Sequence, residues 1–447
     1  MSRCSLRTLS HLAVVTRSRS AVRCVGARAL VLVARALVLV ARALVLVARA
    51  LVLVAGALVL SWPTAAIAQS ADPATVALAA EATPVVAPKP VKKPWYEVLQ
   101  IRGYTQVRTS QIAVTNEKLV NGQGDKSIGG KNGLLIRRAR IILSGEVHPQ
   151  LSVYLQPDFA SAIGDQFNVA ILRDWYADVF LNTAKTWRVR VGQSKVPYGF
   201  ENMQSSSNRL ALDRADAINS AVKDERDLGA FVYFSPMVAK KRFKHLVDSG
   251  LKGSGDYGVA AFGLYNGQTA NNPERNRSPH LVARVTWPFD FGGQFVELAT
   301  GGYIGEYVPK RDKAGGHYAL TDARVHATLV VYPQPLGFQA EYTVGVGPEL
   351  REGTLVQAPL HGGYAQVMYR ADNVMPFVKA QMYDGARKHE TNAPPYETKE
   401  LEFGVEWQVH SALELTAIYT LSQRSSPTKP YAAESGQFGR LQLQFNY

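Results

Sequence analysis

The sequence predicts an all-β fold, a closed antiparallel transmembrane β-barrel of sixteen strands. Three observations lead there. Apolar and polar residues alternate from about residue 95 to the end, the connections between alternating segments are short and long in turn, and the N-terminus has the marks of a secretory signal. The chain divides accordingly into a presequence (1–68), an Ala/Pro-rich linker (69–94) and the barrel (95–447), with a loop at 198–225 expected to fold inward.

Of the 447 residues, the first 68 hold nine arginines, no lysine, no acidic residue and both cysteines, Cys4 and Cys24. Without them, 41 basic residues stand against 36 acidic ones, and the formal charge falls from +14 to +5. The basicity is largely a property of the presequence, and no nucleic-acid partner is expected. The remaining 379 residues lack cysteine, which excludes disulfide frameworks, Cys-ligated zinc and thiol catalysis there; no metal or cofactor is expected. The heptapeptide Ala-Arg-Ala-Leu-Val-Leu-Val recurs at 27–33, 34–40, 41–47 and 48–54. Its identical copies lack a/d spacing and read as tandem duplication rather than a coiled coil. Arg49, the apolar run Ala50–Leu60, Pro63 and Ala66-Ile67-Ala68 have the order of a cleaved signal, with cleavage after Ala68. Arginine at every seventh position keeps each apolar stretch short of the roughly 20 residues a membrane-spanning helix needs. Pro84, Pro88, Pro90 and Pro94 then lie too close together for a helix or a paired strand.

Within the barrel the alternation is explicit. Trp187, Val189 and Val191 interleave with Arg188 and Arg190; Leu401 to Val409 interleave with Glu402, Glu406 and Gln408; Leu441, Leu443, Phe445 and Tyr447 interleave with Arg440, Gln442, Gln444 and Asn446. The strands fall at 95–112, 132–147, 150–160, 168–182, 186–197, 226–235, 255–265, 280–288, 294–307, 317–332, 336–346, 361–371, 374–388, 398–410, 412–423 and 437–447. Short links such as His148-Pro149, Thr183–Lys185 and Asp372-Asn373 alternate with longer ones at 113–131, 161–167, 198–225, 266–279, 308–316, 347–360, 389–397 and 424–436. The stretch 236–254, with Lys240-Lys241-Arg242, breaks the rhythm and reads as a long turn or a missed hairpin. A soluble sandwich or propeller would also alternate. The polar face here, however, includes Arg102 and Arg108 on one strand, Asp174 and Asp178 on another, and Asp322, Arg324 and His326 on a third. Charges of that number suit a wet lumen better than a dry core. Lipid outside requires a ring with no free edge.

Arg137–Gly145, Leu172–Asp178, Gly192-Gln193-Ser194-Lys195-Val196-Pro197-Tyr198-Gly199-Phe200-Glu201 and Arg226–Gly229 resemble the phosphate-selective porin O and P family. The resemblance implies a trimeric sixteen-stranded channel of the bacterial outer membrane, an arginine ladder in its lumen and a basic constriction. Inorganic phosphate or other small anions would be the solutes, with outer-membrane lipid and the barrel-assembly machinery as partners. A weakly selective general porin is the alternative function. A barrel enzyme is disfavoured by the lack of Gly-x-Ser-x-Gly and His-Glu-x-x-His, and a structural barrel or adhesin by the modest loops.

Assigning the apolar face to lipid puts Arg102, Arg108, Arg138, Arg140, Arg188, Arg190, Arg284, Arg324, Arg370 and Lys379 in the lumen. Arginine presents a planar fork of donors that can pass phosphate oxygens along without deprotonating. Alternatively these groups face Glu146, Asp158, Asp174, Asp178, Glu341, Glu402 and Glu406 across the pore and only order its water. The loop 198–225 has helical potential over Asn208–Ser220 and mixed charge; Arg209, Arg214, Lys223 and the adjoining Arg226 are its candidate constriction residues. The terminal aromatic Tyr447 resembles a barrel-assembly signal.

Overall fold

The computed structural model describes residues 94–119, 127–128, 133–163, 166–311, 318–426 and 432–447; the presequence, repeat and linker readings up to residue 93 lie outside them. The strands are β1 (Gln100–Ile112), β2 (Leu135–His148), β3 (Leu151–Ile163), β4 (Gln166–Phe180), β5 (Trp187–Lys195), β6 (Arg226–Phe234), β7 (Ala260–Tyr265) and β8 (His280–Phe291). They continue as β9 (Gln294–Tyr307), β10 (Leu320–Val331), β11 (Leu336–Arg351), β12 (Thr354–Tyr369), β13 (Val374–Ala386), β14 (Pro395–His410), β15 (Leu413–Ser426) and β16 (Ala432–Asn446). Each pairs antiparallel with its sequence neighbours, and β1 pairs with β16, closing the ring. Among the described residues no helix is long and apolar enough to cross a membrane, so the crossing belongs to the strands.

Alternation sorts the side chains as expected. Ile101, Trp175, Val191, Phe262 and Val285 stand exposed on the outside, whereas Gln106, Arg108, Glu297 and Asp322 are buried within the ring. The seam is held to the last residue, for Gly103 N donates to Tyr447 O at 2.5 Å and Tyr447 N to Gly103 O at 3.0 Å. A Cβ on Gly103 would lie 2.4 Å from both Arg140 O and the Tyr447 ring. Gly103→Val is therefore expected to open this corner and lower the temperature at which the folded, fast-migrating form is lost on gel electrophoresis; an unchanged midpoint would show that the seam tolerates the clash.

Four sequence expectations are corrected. Residues 95–98 form a 3₁₀ turn before the first strand, because Pro94 and the turn hydrogen bond from Glu97 N to Pro94 O curl the chain. Residues 347–360 are not a loop: β11 and β12 run on to a two-residue turn at Glu352-Gly353, both with positive φ, the geometry that suits a tight hairpin. Pro348 and Pro359 lie in this extension, where β10 reaches only Val346 on one side and β13 only His361 on the other. Their missing N–H groups thus sit on a hairpin that projects past its neighbours. The stretch 236–254 is neither long turn nor hairpin but contains helix α2 (Met237–Asp248), which buries Ala239, Phe243 and Leu246, an i, i+4, i+7 stripe. Finally, the helical potential at 208–220 yields only one turn, α1 (Asp216–Asn219).

The lumen is not uniformly wet. Residues between β5 and β6 run into the ring, where Tyr198 packs with Phe231, Val282 and Tyr303, Phe200 with Val330 and Tyr332, and Leu210 and Leu212 with Met368, Phe377 and Ile418. The β6–β13 and β15 walls thereby carry a protein core on their inner side, which placing every apolar face against lipid did not anticipate.

Candidate functional site

The loop between β5 and β6 is fixed at both ends and in the middle. Tyr198 hydroxyl meets Thr343 Oγ1, Phe200 N donates to Glu341 Oε2 at 2.6 Å, Lys379 pairs with Glu201, and Arg324 Nη1 donates to Ser220 Oγ at 2.6 Å. At its exit Glu225 is the shared partner of Arg209 and Arg226 at 2.8 Å, Arg214 at 3.3 Å and Lys195 at 3.4 Å. Burial alone would push the Glu225 carboxyl up, but Lys195, Arg214, Arg209 and Arg226 hold it well below the usual carboxylate range. Burial lowers Arg214 to about 10 against the opposing pull of Glu225.

With the loop seated against the far walls, a cavity of about 570 Å³ remains between it and the β1–β5 side. Arg102, Arg140, Arg190, Lys195 and Arg226 border this space together with two carboxylates, Asp174 and Asp256, and the rings of Tyr104, Tyr154, Tyr176 and Tyr257. Tyr154 and Tyr176 stack with centroids 5.0 Å apart, and the Arg190 guanidinium lies 3.7 Å from the Tyr176 centroid, where the ring face favours a cation.

The sequence-predicted cations divide into three groups. Arg102, Arg140, Arg190 and Arg226 border the cavity. Arg108 and Arg138 lie under the loop, where Asp213 sits 2.6 Å from Arg108 and 3.5 Å from Arg138, with Arg137 at 3.5 Å and Arg440 at 3.3 Å beside them. The others are structural contacts away from that space: Arg284 with Glu297, Arg324 with Asp322, Lys379 with Glu201, Arg209 and Arg214 with Glu225, and Arg370 with the carbonyl of Ser249 at 2.8 Å. Arg188 turns to the Asp256 carbonyl. Lys223 is half-buried beside Asp224, with no ion pair among the described residues.

The carboxylates do not form an opposing face across the pore. Asp178 is the register partner of Arg190 and holds it at 2.7 and 2.8 Å, and Asp158 is the register partner of Arg140 at 2.8 Å. Cation and anion share one wall because β4–β5 and β2–β3 pairing sets them side by side. Glu402 reaches Arg440 two strands away and Glu406 pairs with Lys252 of the β6–β7 link, while Glu341 accepts loop N–H groups. Sequence reasoning missed Lys195, Arg173 and Arg440. Alternation along Arg440–Asn446 would have placed Arg440 inside; Lys195 has the parity of the outward Trp187 and Val191, and Arg173 is the residue skipped by a register shift opposite Gln156/Pro157, so alternation shows neither.

The phosphate-selective porin O and P family matches residues 118–447. No curated protein matches the sequence. Among solved structures, the outer-membrane channel DcaP of Acinetobacter baumannii aligns at a TM-score of 0.51 and 12% identity over 78% of this chain and 97% of that one. The anion-selective porin from Comamonas acidovorans aligns at 0.49 and 10% over 78% and 99%. The likeness to the former reflects the fold; the family match reaches further, since it spans most of the chain and the wall from β2 onward. The chain belongs to the phosphate-selective porin O and P family, and is a channel of the bacterial outer membrane for small anions rather than an enzyme.

Proposed function

We propose that anions pass along the β1–β5 wall and that inorganic phosphate is the solute this wall suits best. The supporting observation is the free half of each guanidinium. Arg190 binds Asp178 through Nε and Nη2; Arg140 binds Asp158, Tyr104 and Ser206 through Nε and Nη1; Arg226 binds Asp174 and Glu225 through Nε and Nη1. Among the described residues Nη1 of Arg190 and Nη2 of Arg140 and Arg226 have no protein partner, so donors remain for an oxyanion while the carboxylates fix each fork. Arg102, exposed at the start of β1, adds a further cation at the short-turn end.

In planar bilayers, reversal potentials across a salt gradient should show anion preference, and phosphate should block chloride current. Both should weaken at 1 M salt, where the Debye length falls to roughly 3 Å. Cation preference would defeat the proposal. Anion preference without phosphate block would favour the weakly selective porin, to which Asp158, Asp174, Asp178 and Glu225 on the same wall lend support.

The family resemblance further supports a homotrimer embedded in outer-membrane lipid, the aromatic Tyr447 after the last strand supports insertion by the barrel-assembly machinery, and Ala66 and Ala68 support a mature chain that starts near Gln69. Cross-linking in detergent and N-terminal sequencing of the membrane protein test these; a monomer, or a start upstream of residue 55, would refute them.

A further inference from the structure

The link between β6 and β7 lies at the short-turn end, where two or three residues would suffice, yet it has more than twenty. After α2 the chain does not return directly to the wall. Residues 249–257 enter the ring and are tied at points far apart. Near their own strands, Arg188 donates to the Asp256 carbonyl and Ser235 Oγ to Asp256 Oδ1. Midway, Gln204 Nε2 donates to Lys252 O at 2.6 Å and Asn208 Nδ2 to Gly253 O at 2.8 Å, joining the strap to the inward loop. At the far end Lys252 pairs with Glu406 of β14, and Arg370, just after β12, donates to Ser249 O.

In a ring of sixteen, β6 and β14 are eight strands apart, half the circumference. The strap therefore crosses the lumen. Its shape is built in: Gly250, Lys252 and Gly255 have φ of 67°, 64° and 91°, and a Cβ on Gly253 would lie 2.8 Å from Leu246 Cβ of α2. The residues on its cavity side, Gly253 to Tyr257, border the 570 Å³ space together with Arg102 and Arg190.

We propose that this strap is a second constriction, in series with the inward loop, and that the Lys252–Glu406 pair latches it across the short-turn end and so sets the size of solute that leaves the cavity. The proposal rests on the lumen being the conduit, not on which ion it prefers. Lys252 and Glu406 act by positioning; neither borders the cavity. Losing the latch leaves the far side held only through the Arg370–Ser249 contact, outside the strap's cavity-lining part, so the lane beside β1–β5 widens.

The test is liposome swelling with arabinose and raffinose as probes, alongside single-channel conductance, for the wild type, Lys252→Ala, Lys252→Gln and the charge-swapped pair Lys252→Glu/Glu406→Lys. Heat-modifiable mobility selects preparations with a folded barrel. Both single variants should raise conductance and the raffinose-to-arabinose ratio, and the swapped pair should return both toward the wild type. An unchanged ratio in folded Lys252→Gln, or a swapped pair that behaves like the single variants, overturns the proposal. Reversal potentials on the same bilayers report ion preference separately, so loss of that reading would be distinguishable.

Discussion

Glu225→Gln is expected to unseat the inward loop. The carboxylate is buried, and Lys195, Arg209, Arg214 and Arg226 all converge on it. Removing its charge leaves those cations facing one another, with only Arg226 keeping a second carboxylate, Asp174. Breaking a buried pair this way typically costs about 3–5 kcal/mol, and the lower end suits a site beside a solvated cavity. Trypsin should then cut at Arg209 or Arg214, and single-channel current should become noisy; intact protein with quiet current would show that the apolar contacts alone hold the loop. The pH dependence has a definite sign. A carboxyl depressed in the folded state contributes stability that is fully present above its ordinary value of 4.5 and lost as pH falls through the lower folded value. Wild-type current should thus stay quiet from about pH 7 to 5 and turn noisy only in stronger acid, whereas the glutamine variant should be noisy throughout.

Arg190→Ala should reduce anion preference, and Arg188→Ala should not. The two residues alternate on β5 and look equivalent in sequence, but Arg190 borders the cavity over Tyr176 while Arg188 is turned to Asp256. Removing one charge at about 5 Å from a passing ion, even in a water-like dielectric, is worth about 0.8 kcal/mol, or about fourfold in the partitioning of the anion, with a shift of the same size and opposite sign for the cation. Asp178 then keeps only its longer contact with Arg188, at 3.9 Å. Arg387→Ala is the control, since that side chain stacks on Tyr396, 3.7 Å from the ring centroid, in the link after β13. Equal effects from Arg188 and Arg190 would mean that strap geometry rather than wall charge governs selectivity.

Alternation made the barrel legible because lipid and lumen demand opposite side chains on a two-residue period. All sixteen strands lie close to their expected places. Period two also told which cations point inward, but not what they meet there. Arg324 and Lys379 have the same alternation as Arg140, yet the loop covers them and leaves Arg140 beside the cavity. That difference is set by Tyr198, Phe200, Leu210 and Leu212 choosing the far walls, through contacts most of which are more than a hundred residues away in sequence. The link that holds the strap was visible as a break in rhythm, but the stripe of Ala239, Phe243 and Leu246 that makes its first half a helix went unread. Its far anchor, Glu406, looked like any other inward carboxylate.

The seam between β1 and β16 also bears on folding kinetics. Gly103 and Tyr447 are partners across almost the whole barrel sequence, so the contact that closes the ring has one of the longest sequence separations in it. Loop-closure entropy grows only logarithmically, by about 0.6 kcal/mol per doubling of loop length, so distance itself is a modest thermodynamic penalty. The kinetic consequence is larger. Until the final residues arrive, any partial sheet exposes two unpaired strand edges that hydrocarbon cannot satisfy, which makes ring closure and membrane burial steps of one late, cooperative event.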